Sequence, residues 1–397
     1  MRKLASLMAI LFFVATFSSL YAQNNPADQE YIKAITTPDV SQKVKLLKSY
    51  IAKYGGKGTK YENFVYANLC LIPYKGKTVK ETINYGEKAL SLGGLDDLTK
   101  CQVYIQLSGI YSKLGQNLDK AKNYALQVIQ TGKASKSKES PTATPAQWNK
   151  FIGAGYFAHG QALEKAKDLK GAVNDYINSY NILKDKQIAQ TLKKIGKSLY
   201  DFKFYNEAEK AFKVSAAALK DFGSYTFYAK SLYKNRKKDQ ALRYFKLAYS
   251  QHKSGELAYN IGIILAGKAK KDPSLSSEAI KYLLEASFLS PKNSKNAMKL
   301  AETIFFTLNK DLQYNEKVQQ LSERNKKLEA LTAEFNKKFQ DKAEEDLTEA
   351  EKKEMNTLLA NIKTEEKAIQ KLEAETKAAL DKFNKLIEET KKRLGIT

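Results

Sequence analysis

The chain of 397 residues is poor in the residues that carry most chemistry: 2 cysteines, 2 histidines, 1 tryptophan and 7 prolines. Two cysteines cannot make a disulfide framework. His159 and His252 have no partner at metal-ligand spacing, so no metal centre is expected. No P-loop, dinucleotide fingerprint or nucleophile elbow is present. Paired carboxylates such as Asp96-Asp97 and Glu365-Glu366 are expected as solvated charges. Neither a cofactor nor an enzymatic activity is expected. Arginine is scarce too, at Arg2, Arg236, Arg243, Arg324 and Arg393, so lysine carries nearly all the positive charge. The shortage of proline suits a helical chain.

What is present begins with an export signal. Arg2 and Lys3 precede the apolar stretch from Leu4 to Phe17, and Leu20-Tyr21-Ala22 has the form of a cleavage site. The apolar run is too short for a membrane span, and no cysteine follows the site to carry a lipid. Residues 1–22 are therefore expected to be removed near Ala22; the alternative is that they stay as an uncleaved anchor. The mature chain, without a transmembrane segment, is expected in a bacterial periplasm or cell envelope.

The middle of the chain repeats one pattern. A small residue is followed by an alanine, then four positions on by a large apolar residue, then three on by another small one. Gly160, Ala172, Tyr176 and Ser179 spell it first, followed by Gly196, Ala208, Phe212 and Ser215. Ala229, Ala241, Phe245 and Ala248 come next, and Gly262, Ala279, Leu283 and Ala286 close the series with a five-residue insertion. A period in the mid-thirties means stacked helical hairpins. The small residues mark where two antiparallel helices cross, and the large one fills the space beside the crossing.

This pattern resembles the tetratricopeptide repeat. Tyr156, Leu192 and Tyr225 stand where that family opens its first helix with a bulky residue. Ile195, Tyr228 and Ile261 fit the apolar position before the small one, whereas His159 does not. Pro291 matches the closing proline. Fainter copies run through Tyr66, Leu69, Cys70, Thr82 and Ala89, and through Tyr104, Leu107, Ser108, Tyr111, Gly115 and Ala121. Asn296 to Phe306 reads as one more first helix, with an apolar stripe of Leu300, Ala301, Ile304 and Phe305. Cys70 and Cys101 would lie ~10 Å apart along parallel helices, beyond bridging distance; a different register there would permit a bridge in an oxidising compartment.

The resemblance implies an all-α solenoid that binds a protein segment along its first helices. In register, those helices present Lys193, Lys197 and Tyr200, then Lys230, Tyr233 and Lys234, then Tyr259 and Asn260. Such a lysine- and tyrosine-lined groove suits an acidic or carboxylate-ended peptide. Relatives with a carboxylate clamp use lysine and asparagine there, and this chain reproduces only part of that set. Trp148 is expected to anchor the first turn of the main array.

Charge is uneven. Residues 23–311 hold 47 basic and 25 acidic side chains, and residues 312–397 hold 18 of each. A basic array attracts acidic proteins or an anionic envelope polymer such as peptidoglycan or lipopolysaccharide. Lysine dominance argues against bidentate phosphate recognition, and the export signal argues against nucleic acid.

The expected organisation is a leader at 1–22, degenerate repeats at 39–131, a flexible linker at 132–144, the array at 145–311 and a coiled-coil hairpin at 312–397. Pro141 and Pro145 punctuate the linker, and Thr144 and Gln147 form a capping box that opens the array. In the tail, Leu321, Leu328 and Phe335 recur every seven residues, with Leu331 between. Met355, Ile362, Ile369 and Phe383 continue one row, with Leu359, Leu380, Ile387 and Leu394 as its partner. Thr348 and Glu351 cap a second helix. The tail is expected as an antiparallel hairpin that packs on the array or extends freely. The alternative is one long helix that pairs with a second chain into a homo-oligomer.

Overall fold

A computed structural model describes residues 25–138 and 143–396. The expected leader and residues 139–142 of the expected linker lie outside them. The described residues form 17 α-helices and three short 3-10 turns, without a strand among them. Two compact units divide the chain between Lys220 and Asp221, inside the stretch expected to be one array.

The first unit is a row of helical hairpins. They are α1 (Pro26–Thr36) with α2 (Val40–Tyr54), α3 (Glu62–Leu71) with α4 (Val79–Leu92), and α5 (Asp97–Leu114) with α6 (Leu118–Ser137). They continue with α7 (Pro145–Lys165) and α8 (Leu169–Leu183), then α9 (Lys186–Asp201) and α10 (Tyr205–Leu219). The repeats thus start at residue 26 rather than 39. The first hairpin carries no Gly-and-Ala signature because aromatics fill its crossing. Tyr31 stacks on Tyr61 at 4.5 Å and meets Tyr50 edge-on at 6.5 Å.

Crossings further along use the small residues. A side chain on Gly160 would bring its first carbon within 3.0 Å of the Tyr176 ring and 3.3 Å of the Ala172 carbonyl oxygen. Tyr176 is fully buried and donates to Glu164 at 2.7 Å. A first side-chain carbon on Gly196 would lie 3.1 Å from both Ala211 and the Phe212 ring. Each large side chain buried this way stabilises the array by roughly 1.5–3 kcal/mol. Ser179 is more than a small residue at the crossing; its hydroxyl donates back to the Gly153 carbonyl at 2.8 Å.

Helix ends are fixed locally. Thr144 and Gln147 form the expected capping box, with Pro145 at the first position. Asp39, Asp96, Asp168 and Asp185 each accept a backbone N–H at the helix they open, a contact worth ~1 kcal/mol. Asp96 is therefore a cap, and Asp97 accepts from the Ser135 hydroxyl at 2.7 Å, so neither is only a solvated charge.

Part of the expected linker is helix. Residues 132–137 finish α6. Gly132 and Ser135, which look like loop residues by composition, are buried there because Ile152 packs against Gly132 and Ser135 bonds to Asp97. Trp148 is fully buried beside Phe151, Cys101 and Val128. Both thiols are free and buried, and burial pushes each up to about 12.

The second unit holds α11 (Phe222–Lys234) with α12 (Lys238–Gln251), and α13 (Gly255–Ala269) with α14 (Ser276–Leu289). Then come α15 (Ser294–Leu308), α16 (Tyr314–Phe339) and α17 (Glu349–Leu394). The apolar stripe of α15 is Ala297, Ala301, Phe305 and Phe306, with Leu300 and Ile304 only half-buried.

Helices α16 and α17 are antiparallel. Lys342 meets Glu351 at 2.7 Å, Lys338 meets Glu354 at 2.6 Å, and Lys317 meets Glu375 at 3.0 Å. The chain turns at 340–348, so the single long helix is not formed, and Thr348 and Glu351 make the expected capping box. One seam row is as expected, with Ile369 and Phe383 buried and Met355 and Ile362 half-buried. The partner row lies one residue earlier than expected. Leu358 is buried and Leu359 exposed; Glu365, Leu372, Ala379 and Leu386 continue the row at heptad spacing. Glu365 is only 5% exposed, and Arg324 and Lys327 reach it at 2.7 and 2.8 Å. It is not a solvated carboxylate.

The end of α17 packs back within this unit. Phe383 lies 5.3 Å from Phe305, and Arg393 reaches the buried Glu285 at 3.0 Å. It supplies the apolar cover that α15, a first helix without its own partner, would otherwise lack. Among the described residues no helix is long and apolar enough to cross a membrane.

Candidate partner-binding surfaces

Five of the eight residues expected to line the groove lie in the second unit and three in the first. On α9, Ile188, Leu192, Ile195, Gly196 and Leu199 face inward. That leaves Lys193, Lys197 and Tyr200, spaced four and three apart, on the outer stripe. Lys197 is exposed, and Lys193 and Tyr200 are half-buried. The Tyr200 ring meets Tyr205 edge-on at 5.2 Å.

In the second unit α11 packs inward through Ser224, Tyr228, Ala229 and Leu232. Lys230 and Tyr233 are half-buried and Lys234 is exposed. The Lys230 ammonium lies 2.7 Å from the Glu256 carboxylate on α13 and 5.4 Å from the Phe227 ring centre. Tyr259 and Asn260 follow Glu256 by three and four residues and are half-buried. The structure thus brings the stripes of α11 and α13 to one face.

Two expectations change at this face. Lys230 already holds a carboxylate. Asn260 donates its amide to the Glu256 carbonyl of its own helix at 2.9 Å, which spends one of its two donors. Glu256, not among the expected groove residues, lies on the stripe of Tyr259 and Asn260 by its spacing from them. The Lys230–Glu256 pair is partly exposed, with Glu256 at 61%, and such pairs are worth about 0–1 kcal/mol.

The histidines take structural positions. His159 is half-buried, with Nδ1 2.5 Å from Asp175 Oδ2 across the α7–α8 hairpin. His252 packs edge-on against Phe222 at 5.2 Å. Among the described residues, no group of three histidine, cysteine or carboxylate side chains is placed to hold a metal ion.

No protein-family description matches the sequence, and no curated protein matches it. Among solved structures, the chain is similar to a tetratricopeptide repeat protein from Parabacteroides merdae. The two share 15% identity and a TM-score of 0.34, over 69% of this chain and 99% of that one. It is also similar to yeast Tom70, at 11% identity and a TM-score of 0.27, over 75% of this chain and 69% of that one. By its consecutive helical hairpins the chain is, in its fold, a tetratricopeptide-like helical-repeat protein.

Proposed function

We propose that the chain is a non-catalytic protein-interaction scaffold of the bacterial cell envelope, which holds an acidic segment of its partner against its first helices. The observation that supports this most is the Lys230–Glu256 pair. There the chain's own Glu256 carboxylate already bridges consecutive first helices, in a partly exposed pair. Lys234, Tyr233 and Tyr259 on the same face would add charge and flat ring surface. Lys193, Lys197 and Tyr200 offer the same chemistry on α9. The leader-like N-terminus supports the envelope location.

A second reading, binding of anionic polymer such as peptidoglycan or lipopolysaccharide, is favoured by the 47 basic against 25 acidic residues of 23–311. A capture experiment from envelope extract separates the two. Native 23–397 and a Lys193/Lys197/Lys230/Lys234→Ala variant are compared at two salt concentrations. The scaffold reading expects one discrete protein retained by the native chain and lost by the variant. Equal capture of glycopolymer by both chains, released by salt, supports the polymer reading and sinks the first.

A further inference from the structure

The first unit contains a groove that the first-helix face does not include. It has a volume of about 500 Å³ and lies between the end of α6, the first turns of α7 and the end of α8. Second helices form two of its three walls. Glycines let the helices approach beneath it: Gly132 admits Ile152, and Gly153 admits Leu183.

We propose that this groove is a second binding site, for a peptide segment that carries a carboxylate beside an aliphatic side chain. Three observations define the ligand. First, two cations converge there without a counter-charge among the described residues. Lys133 donates to the Tyr156 hydroxyl at 3.1 Å and Lys136 to Asn149 Oδ1 at 2.9 Å, so both are steered by neutral groups. Among the described residues no acidic side chain lines the groove. An anion is the missing partner.

Second, the amides present both donors and acceptors. Asn178 and Asn181 stand one turn apart on α8, exposed and without a hydrogen bond to the described residues. Asn149 keeps its amide hydrogens, because only its oxygen is engaged. Alternating donors and acceptors match a peptide backbone.

Third, Ile152 and Ile182 give the groove an apolar part, and Ile182 is 36% exposed. An aliphatic side chain covers it. A sugar would need an open ring face to stack on, and Lys133 sits over Tyr156 at 5.5 Å from the ring centre. Those features favour a peptide over a glycan.

The site is tested by panning a random nonapeptide phage library over the immobilised mature chain. Recovered sequences are then measured as labelled synthetic peptides by fluorescence anisotropy. The expected peptides are enriched in Asp or Glu beside Leu, Ile or Val. They lose at least tenfold in affinity on Lys133→Ala/Lys136→Ala, and severalfold on Asn178→Asp, whose exposed side chain leaves the fold intact. Replacing their Asp or Glu by Asn or Gln has the same effect as removing the lysines. The variant lacking Lys193, Lys197, Lys230 and Lys234 binds them unchanged. Peptides without an acidic bias, or equal affinity for native and Lys133→Ala/Lys136→Ala chains, overturn the proposal. Loss on the four-lysine variant instead assigns the peptides to the first-helix face and leaves that reading standing alone.

Discussion

The α7–α10 hairpins and the α16–α17 hairpin solve the same problem in opposite ways. In the former, small residues let helices touch, and Trp148, Phe151, Tyr176, Leu192, Leu199 and Phe212 are fully buried. In the latter, the 26 residues of α16 bury only Phe339. Ion pairs flank its seam, and a carboxylate stands in the seam itself. Non-directional burial holds the first pair of hairpins, whereas charge sets the register of the second. The first should depend less on salt and acid than the second.

The largest effect tests the apolar side of this contrast. Tyr176→Ala removes a fully buried ring and leaves Glu164 without its donor. It should destabilise the first unit by about 3–5 kcal/mol in thermal or urea unfolding. A loss below ~1 kcal/mol would mean the crossing is not packed as described.

Next is the place where α17 meets α14. Glu285 is 3% exposed and is held by Tyr249 at 2.6 Å and by Arg393 at 3.0 Å. Arg393→Ala leaves that carboxylate short of its charged partner, at a cost of about 1–3 kcal/mol. Faster hydrogen exchange at the end of α17 is the expected readout, with α7 and α8 unchanged.

Acid should then separate the two kinds of hairpin. Lys327 and Arg324 hold the Glu365 carboxyl below its ordinary range. Lys342 and the Thr348 cap hold Glu351 down at about 2. A carboxylate depressed in the folded state adds stability above its unfolded value of ~4.3, and that stability fades as pH falls through the folded value. Exchange in α16 and α17 should therefore rise below about pH 4, before it rises in α7 and α8. Glu365→Leu should weaken this dependence without lowering stability at pH 7, because replacing a paired charge in a seam by an apolar residue is often neutral or better.

The smallest effect concerns a turn. Lys203 has a left-handed backbone, φ 64°, which costs a residue with a Cβ roughly 1 kcal/mol relative to glycine. Lys203→Gly should stabilise the α9–α10 hairpin by up to that amount in a thermal melt.

The same contrast explains what the sequence discloses. Gly160, Ala172 and Tyr176 announce their crossing because close approach admits only small residues there. The α1–α2 hairpin stays hidden because Tyr31 and Tyr50 pack it without such a mark. In the tail, one seam row is readable from Ile369 and Phe383. Its partner is hidden because Glu365 interrupts the apolar series, and the neighbouring Leu359 and Leu380 offer a false row one residue later. Within the binding face, lysines and tyrosines are legible from register. Glu256 belongs to the same stripe, but its role appears only when α11 brings Lys230 against it. Lys133 and Lys136 escape notice because their composition reads as linker, while Asn149 and Asn178 come from two other helices.

We propose that the α11–α13 face takes an acidic partner in place of Glu256. The test is capture of the proposed partner from envelope extract by Glu256→Gln and by Lys230→Ala/Lys234→Ala, at a salt concentration high enough to screen diffuse attraction. Freed of its internal competitor, Glu256→Gln should retain more of the same discrete protein than the native chain, and the lysine variant less. Equal retention by all three chains would show that the partner does not bind at this face.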